Sequence, residues 1–199
     1  MQELSTRRLL LRPFAPADAE AIHTAVYGDP LVCEHFCGLP WSLEQVRSWL
    51  AYHHLDTRYG DLGYLAVERR ADQRVLGLVG LRPYVAAWIA WQDAPREPFS
   101  RLEMELTYAL GQAWWGHGYA TEACAALIGY AFTELRLQRL AYSVCVHNVP
   151  SWKLMKRLGF RFQRNLRPES GEEVVGILDN TLLTSEERRA DAACAPLRR

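Results

Sequence analysis

The succession of elements in this chain predicts an α+β fold: a mixed, largely antiparallel central sheet flanked by helices. Three observations carry the prediction. Two β-rich stretches, 64–70 and 74–84, are joined by a three-residue turn, and a third, 100–110, follows with no helical pattern in between. One strand–loop–helix–strand crossover, residues 100–147, then sits at the centre. A final pair of strands, 160–167 and 172–183, turns about Ser170-Gly171.

Taken in order, residues 8–13 read as the first strand. Pro16 suits a helix start, with Asp18 and Glu20 near the positive end of its dipole, and Asp29-Pro30 is expected to stop that helix. Ser42 and Gln45 form a capping-box pattern, and Leu43, Val46, Trp49 and Leu50 recur at helical spacing until Tyr59-Gly60. Gly77 and Gly80, inside the 74–84 strand, mark bulges or close backbone approaches. Residues 85–99, with Trp88, Trp91 and two prolines, read as an insertion or lip, lining an acceptor cleft or a dimer contact. In 100–110, Leu102, Met104 and Leu106 alternate with Glu103, Glu105 and Thr107. A Gly/Trp-rich loop, 111–117, opens a helix running to about Leu135, with Ala120, Ala123, Cys124, Leu127, Ile128 and Ala131 on one face. Residues 138–147 form a strand, and a short helix from Pro150 to Leu158 ends at Gly159. Residues 1–183 are expected to form a single domain. The tail 184–199 lacks an apolar face and reads as frayed or loosely helical.

Composition narrows the class. Hydrophobic residues make up 49% and charged residues 23% of the 199, as in an ordinary globular protein, which excludes whole-chain disorder. Lys plus Arg and Asp plus Glu each total 23, so the global basic field of a nucleic-acid binder is absent. Cys33, Cys37, Cys124, Cys145 and Cys194 form no CxxC pair. The Cys33/Cys37 spacing has no second half downstream, so no metal is expected and the pattern fits a reducing cytoplasm. The N-terminal apolar run is three leucines long, too short for a signal peptide, and no stretch would span a membrane.

The chemistry is concentrated in residues 105–123, ELTYALGQAWWGHGYATEA. A strand runs through a glycine-containing loop into a helix, where free N–H groups and the dipole favour a phosphate. Taken alone, Gly116-His117-Gly118 is also compatible with a plain tight turn. A P-loop would need Gly-Lys-Ser/Thr, but Tyr119 and Ala120 follow Gly118. A dinucleotide fingerprint would need a small residue where Thr121 stands. Both nucleotide readings fail. Further on, the chain reads VHNVPSWKLMKRLGF over 146–160.

With the opening LSTRRLLLRPFAPADAEAI, the ELTY strand and the WGHGYATEA loop, that block resembles the GNAT superfamily of N-acetyltransferases, specifically its RimJ/RimL-like branch, over about residues 4–185. The resemblance implies a sheet splayed at the acetyl-CoA site, between strands 100–110 and 138–147. It implies that Trp115, Gly116, His117, Gly118, Tyr119 and Ala120 hold the pyrophosphate, chiefly through backbone amides. Tyr108 and Leu110 would line the approach from the preceding strand. Ala113 stands where the family's motif has Arg or Gln, with Gln112 adjacent. Asn148 is either a turn or capping residue or, by resemblance, a contact to the pantetheine. Ser151 is either a solvent residue in a first helical turn or, by resemblance, faces the sulfur and assists its departure. Glu105 either belongs to a wet polar face with Glu103 or, by resemblance, lies near the acceptor amine, as base or binding partner. Tyr119 is expected to pack rather than to act as an acid, and Lys153, Lys156 and Arg157 to form a solvated face, with a phosphate contact from Arg157 as the alternative.

The implied activity is acetyl transfer from acetyl-CoA, without a metal, to a primary amine (a peptide N-terminus or a small molecule) by direct attack, in a monomer or homodimer with no nucleic-acid or membrane partner. No Gly-x-Ser-x-Gly elbow is present to support a covalent route. A non-catalytic acyl-CoA sensor on the same fold is the alternative.

Overall fold

The computed structural model describes residues 2–55, 62–88, 99–164 and 173–184. Its strands are β1 (Leu4–Ser5), β2 (Leu9–Arg12), β3 (Gly63–Arg69), β4 (Arg74–Trp88), β5 (Phe99–Leu110), β6 (Arg139–Cys145), β7 (Arg161–Arg164) and β8 (Glu173–Asp179). The helices are α1 (Ala19–Ile22), α2 (Pro30–Phe36), α3 (Leu43–Leu55), α4 (Tyr119–Thr133) and α5 (Val149–Arg157). Among the described residues the strands form one sheet in the order β1-β2-β3-β4-β5-β6-β8-β7. Every pairing is antiparallel except β5 with β6, which meet in parallel at Glu105 and Ala141. The predicted α+β class and mixed sheet are observed.

Alternation along the strands divides the core between the two faces of the sheet. Leu106 and Leu110 of β5 pack with Cys124, Leu127 and Ala131 of α4 and Met155 of α5. Ala109, one residue out of phase, faces Ile22, Val26, Val46 and Leu50 of the N-terminal helices. Leu106 and Leu127 are wholly buried, each burial contributing about 1.5–3 kcal/mol.

Several sequence expectations are corrected. Asp29-Pro30 does not merely stop a helix; it starts α2. The Asp29 carboxylate accepts from the N–H groups of Leu31 and Val32, and Pro30, whose missing N–H is no loss there, occupies the first turn. The segment before it is 3₁₀ at Pro16–Asp18, then α1, then a π turn at His23–Tyr27. The two-residue strand β1 was not anticipated. Residues 85–88 are not part of an insertion, because they extend β4, and Trp88 pairs with Phe99. Trp91 and the side chain of Trp88 lie outside the described residues, as does the tail beyond Thr184. The capping box is observed: Gln45 N–H donates to Ser42 Oγ and Ser42 N–H to Gln45 Oε1. Gly77 and Gly80 mark close approaches, since a Cβ would stand 2.1 Å from the Ala109 carbonyl oxygen at Gly77 and 2.5 Å from that of Gly63 at Gly80.

Candidate active site

Beyond the Glu105–Ala141 contact the C-terminal halves of β5 and β6 part, and a cleft of about 840 Å³ opens there. Tyr108 and Leu110 line one side of it and Tyr142 the other. Trp115, Gly116, Gly118 and Ala120 bound one end, while Asn148 and Ser151 reach it from α5. The facing wall is α2, through Val32, His35 and Phe36.

The loop presents donors to this cleft. Gly116 and Gly118 have φ of +77° and +78°, a left-handed conformation that glycine adopts without penalty. Gly118 is the N-cap of α4 and supplies no side-chain cap. The first intrahelical bond found there is from Glu122 N–H to the Gly118 carbonyl, so the N–H groups of Tyr119, Ala120 and Thr121 have no partner one turn back. A Cβ built on Gly116 meets nothing within 4 Å, leaving room for a bulky anion against the backbone. Unbonded donors, a helix dipole and open space together fit the pyrophosphate of acetyl-CoA.

The N-terminal hairpin holds this loop from behind. Glu122 accepts from Thr6 Oγ1 (2.7 Å), Arg8 N–H (2.8 Å) and Arg8 Nε (2.6 Å), while Arg8 Nη1 donates to the His117 carbonyl (3.0 Å). Burial would raise the Glu122 carboxyl, but the bonds from Thr6 and Arg8 hold it below the usual carboxylate range. The Arg8 guanidinium also lies 4.5 Å over the Tyr119 ring, which stacks on His117. The rings of His117 and Tyr119 therefore belong to the back of the loop and do not line the cleft. Gln112, beside the unmatched motif position Ala113, donates to both carboxylate oxygens of Asp29 and ties the loop to α2.

Ser151 lies in the first turn of α5. Asn148 is that helix's N-cap, and its Oδ1 accepts from Ser151 N–H at 3.3 Å. Ser151 is buried rather than solvated, and its Oγ lies 2.6 Å from the Tyr108 hydroxyl and 2.5 Å from that of Tyr142. Burial pushes the Tyr108 phenol up to about 12 and that of Tyr142 well above its ordinary value, so both stay protonated near neutral pH.

Glu105 is not on a wet face. It is 3% exposed, and its Oε2 accepts from Arg82 Nε at 2.6 Å and its Oε1 from Ser143 N–H at 3.3 Å. Burial lowers the Arg82 guanidinium, yet the neighbouring Glu105 carboxylate raises it overall, which keeps the pair charged. Glu103 is likewise buried and paired with Arg139. Leu102, its apolar neighbour in the alternation, is the exposed one. Glu105 shares its face of β5 with Ala109, which lines the cleft on the side of α2, whereas Tyr108 lines it from the opposite face of the strand. The structure sets Glu105 at the apex of the splay rather than on the cleft wall. Lys153, Lys156 and Arg157 are exposed, as expected, and also border the cleft.

Sequence reasoning missed Tyr142, Arg82, Arg8 and α2. Tyr142 had a signal in the apolar period of Leu140, Tyr142 and Val144; the pairings of Arg8 and Arg82, across 114 and 23 residues, had none.

The acetyltransferase (GNAT) domain family matches residues 8–161. The chain belongs to the GNAT acetyltransferase family. Its relatives include an uncharacterized N-acetyltransferase, p20, of Bacillus licheniformis, 29% identical over 84% of this chain and 86% of that one. The fold is similar to a GNAT-family acetyltransferase of Bacillus anthracis, with a TM-score of 0.71 and 19% identity over 90% and 99% of the two chains. It is also similar to RimL, a ribosomal-protein acetyltransferase in complex with coenzyme A, with a TM-score of 0.65 and 13% identity over 89% and 98%. The GNAT protein described here is accordingly an enzyme, an N-acetyltransferase, and the sensor alternative is set aside. The family uses acetyl-CoA and acts on an amine acceptor. No helix among the described residues is long and apolar enough to cross a membrane.

Proposed function

We propose that this GNAT enzyme, of the RimJ/RimL-like branch, acetylates a primary amine of low basicity, such as a peptide N-terminus or a small α-amino compound, by direct attack on the acetyl-CoA thioester. The single observation that carries this reading is the course of the cleft, from the α4 N-terminus along the splay to Ser151. Acetyl-CoA supplies the acetyl group as a thioester, whose sulfur departs as a thiol. The backbone N–H groups of Tyr119, Ala120 and Thr121, with Gly116 and Gly118 giving close approach, bind the pyrophosphate. Tyr108, Leu110, Trp115 and Asn148 flank the pantetheine path. Ser151 donates a proton toward the sulfur. Because the chain holds two substrates in register, much of the rate is expected to come from positioning.

The state of Glu105 supports the preference for a weakly basic amine. A carboxylate held by Arg82 and a backbone N–H is stabilised as an anion and is a poor base. A lysine-like amine, with a pKa of about 10.4, needs a base at neutral pH, whereas an α-amine at about 7.7–8.0 needs little help. Glu105 then orients the ammonium or a water rather than abstracting the proton itself.

The test is thiol release from acetyl-CoA with a panel of amines at pH 7.5. Peptides with free α-amines are expected to turn over at least about tenfold faster, by kcat/KM, than the same peptides blocked at the N-terminus and carrying one lysine. A reversed order overturns the acceptor class, and no acetylation of any amine overturns the function.

A further inference from the structure

The three hydroxyls at the end of the cleft have two ways to share their protons. A serine hydroxyl has one donor and two acceptor positions, and a phenol has one donor of its own. Tyr142 is buried, and its O–H has two acceptors in reach, Ser151 Oγ at 2.5 Å and the Tyr108 hydroxyl. If Tyr142 took the serine proton instead, its own would pass to Tyr108 and that of Tyr108 to Ser151, a closed ring that leaves no hydrogen bond for a sulfur in the cleft. Tyr108, stacked alongside with ring centroids 6.1 Å apart, likewise has both Ser151 Oγ and the Tyr142 hydroxyl in reach. With both phenols donating, the two acceptor positions of Ser151 are filled and its own O–H turns into the cleft.

We propose that Tyr108 and Tyr142 are positioning residues that together fix Ser151 as a proton donor facing the sulfur of the bound coenzyme. The proposal rests on the reading of Ser151 given above. In the forward reaction the amine nitrogen forms the new C–N bond, the C–S bond breaks with its electron pair going to sulfur, and the amine gives up one proton to solvent water, which later returns one to the Ser151 oxygen. Sulfur gains one proton from Ser151, and the two phenols stabilise the serine oxygen until it is reprotonated. The high phenol pKa values support this arrangement, because both groups remain donors throughout the working range.

Free coenzyme A and the full-length protein provide a test that needs no acceptor. The ultraviolet absorbance of the bound thiolate is titrated in the wild type, Tyr108→Phe, Tyr142→Phe, Ser151→Ala and each Phe variant combined with Ser151→Ala. Saturation is checked by calorimetry and folding by thermal melting. A donor aimed at the sulfur favours the thiolate, so the wild-type complex is expected to titrate about one pH unit below the free thiol near 8.5. Each Phe substitution is expected to return most of that difference, and neither is expected to change the titration once Ser151 is alanine. Lys153, Lys156 and Arg157 of α5, His35 of α2, His147, and Cys124 behind Tyr108 are common to all variants, so differences between variants report the hydroxyl cluster.

If wild type and Ser151→Ala titrate alike, the donor reading of Ser151 fails, and this proposal fails with it. If Ser151→Ala titrates higher but either Phe variant behaves as wild type, this proposal alone fails. A Phe effect of equal size in the Ser151→Ala background also overturns it, because the tyrosines would then be acting without the serine.

Discussion

At the residue scale, the chemistry turns on which buried polar groups are already satisfied. Ser151 Oγ lies within hydrogen-bond reach of two phenols, which we assign as its donors, while Glu105 has its charge compensated by Arg82. Ser151→Ala is therefore expected to lower kcat by about 10²-fold while acetyl-CoA affinity stays within a few-fold, as steady-state kinetics and calorimetry would show. Glu105→Gln is expected to act differently. It leaves the Arg82 guanidinium next to a neutral amide, which should repel an ammonium and raise the acceptor KM more than it lowers kcat. A kcat loss of about 10²-fold with KM unchanged would identify Glu105 as the base after all.

At the scale of elements, the loop and the α4 N-terminus act as one unit because the β1–β2 hairpin grips them. Gly118→Val is expected to weaken coenzyme A binding by at least about tenfold, since a branched residue at φ +78° costs about 1–3 kcal/mol and its Cβ would stand 3.4 Å from the Arg8 guanidinium that holds the loop. Cys124→Ala, in the wholly buried face of α4, should leave affinity unchanged. Calorimetric titration of both variants, each checked for folding, compares them directly. Arg8→Ala removes the bonds to Glu122 and the His117 carbonyl without touching the cleft. It is expected to weaken coenzyme A binding several-fold while leaving the acceptor KM unchanged.

At the scale of the whole molecule, two stability measurements follow. Acetyl-CoA at one hundred times its Kd is expected to add about 2.7 kcal/mol, raising Tm by about 5–10 °C in a chain of this size. No shift at millimolar ligand would remove the cofactor-binding role of the loop. The second measurement concerns acid. Burial opposes it, but bonds from Arg12 and the Ala15 N–H hold the Asp18 carboxyl below its ordinary value, as Thr6 and Arg8 do for Glu122. A carboxyl with a depressed native pKa stabilises fully above its unfolded value and loses that contribution as pH falls through the native one. Stability should thus decline below about pH 5, and Asp18→Asn or Glu122→Gln should flatten that limb while lowering stability at pH 7. Urea midpoints from pH 3 to pH 7 measure both effects.

The sequence by itself determined what depends on neighbours along the chain. The capping box at Ser42 and Gln45, the C′ glycine at Gly159 (φ +97°), the strand–loop–helix around Gly116 and Gly118, and the family motifs are all short-range patterns. Local signals also have two readings, and Asp29-Pro30 shows the cost: the same dipeptide ends one helix or begins another, and only packing against Gln112 and the sheet selects the second. Tertiary structure alone decided the charges and hydroxyls. Whether Glu105 is a wet residue or a buried paired one depends on Arg82 two strands' lengths away in sequence but directly opposite in register. Whether Ser151 is exposed or held by two phenols depends on β5 and β6 parting by just enough to leave Tyr108 and Tyr142 both within reach of its hydroxyl. Hydrogen bonds and ion pairs have a reach of about 3 Å in space and none along the chain, so the residues that set proton positions here carry no signature in sequence spacing.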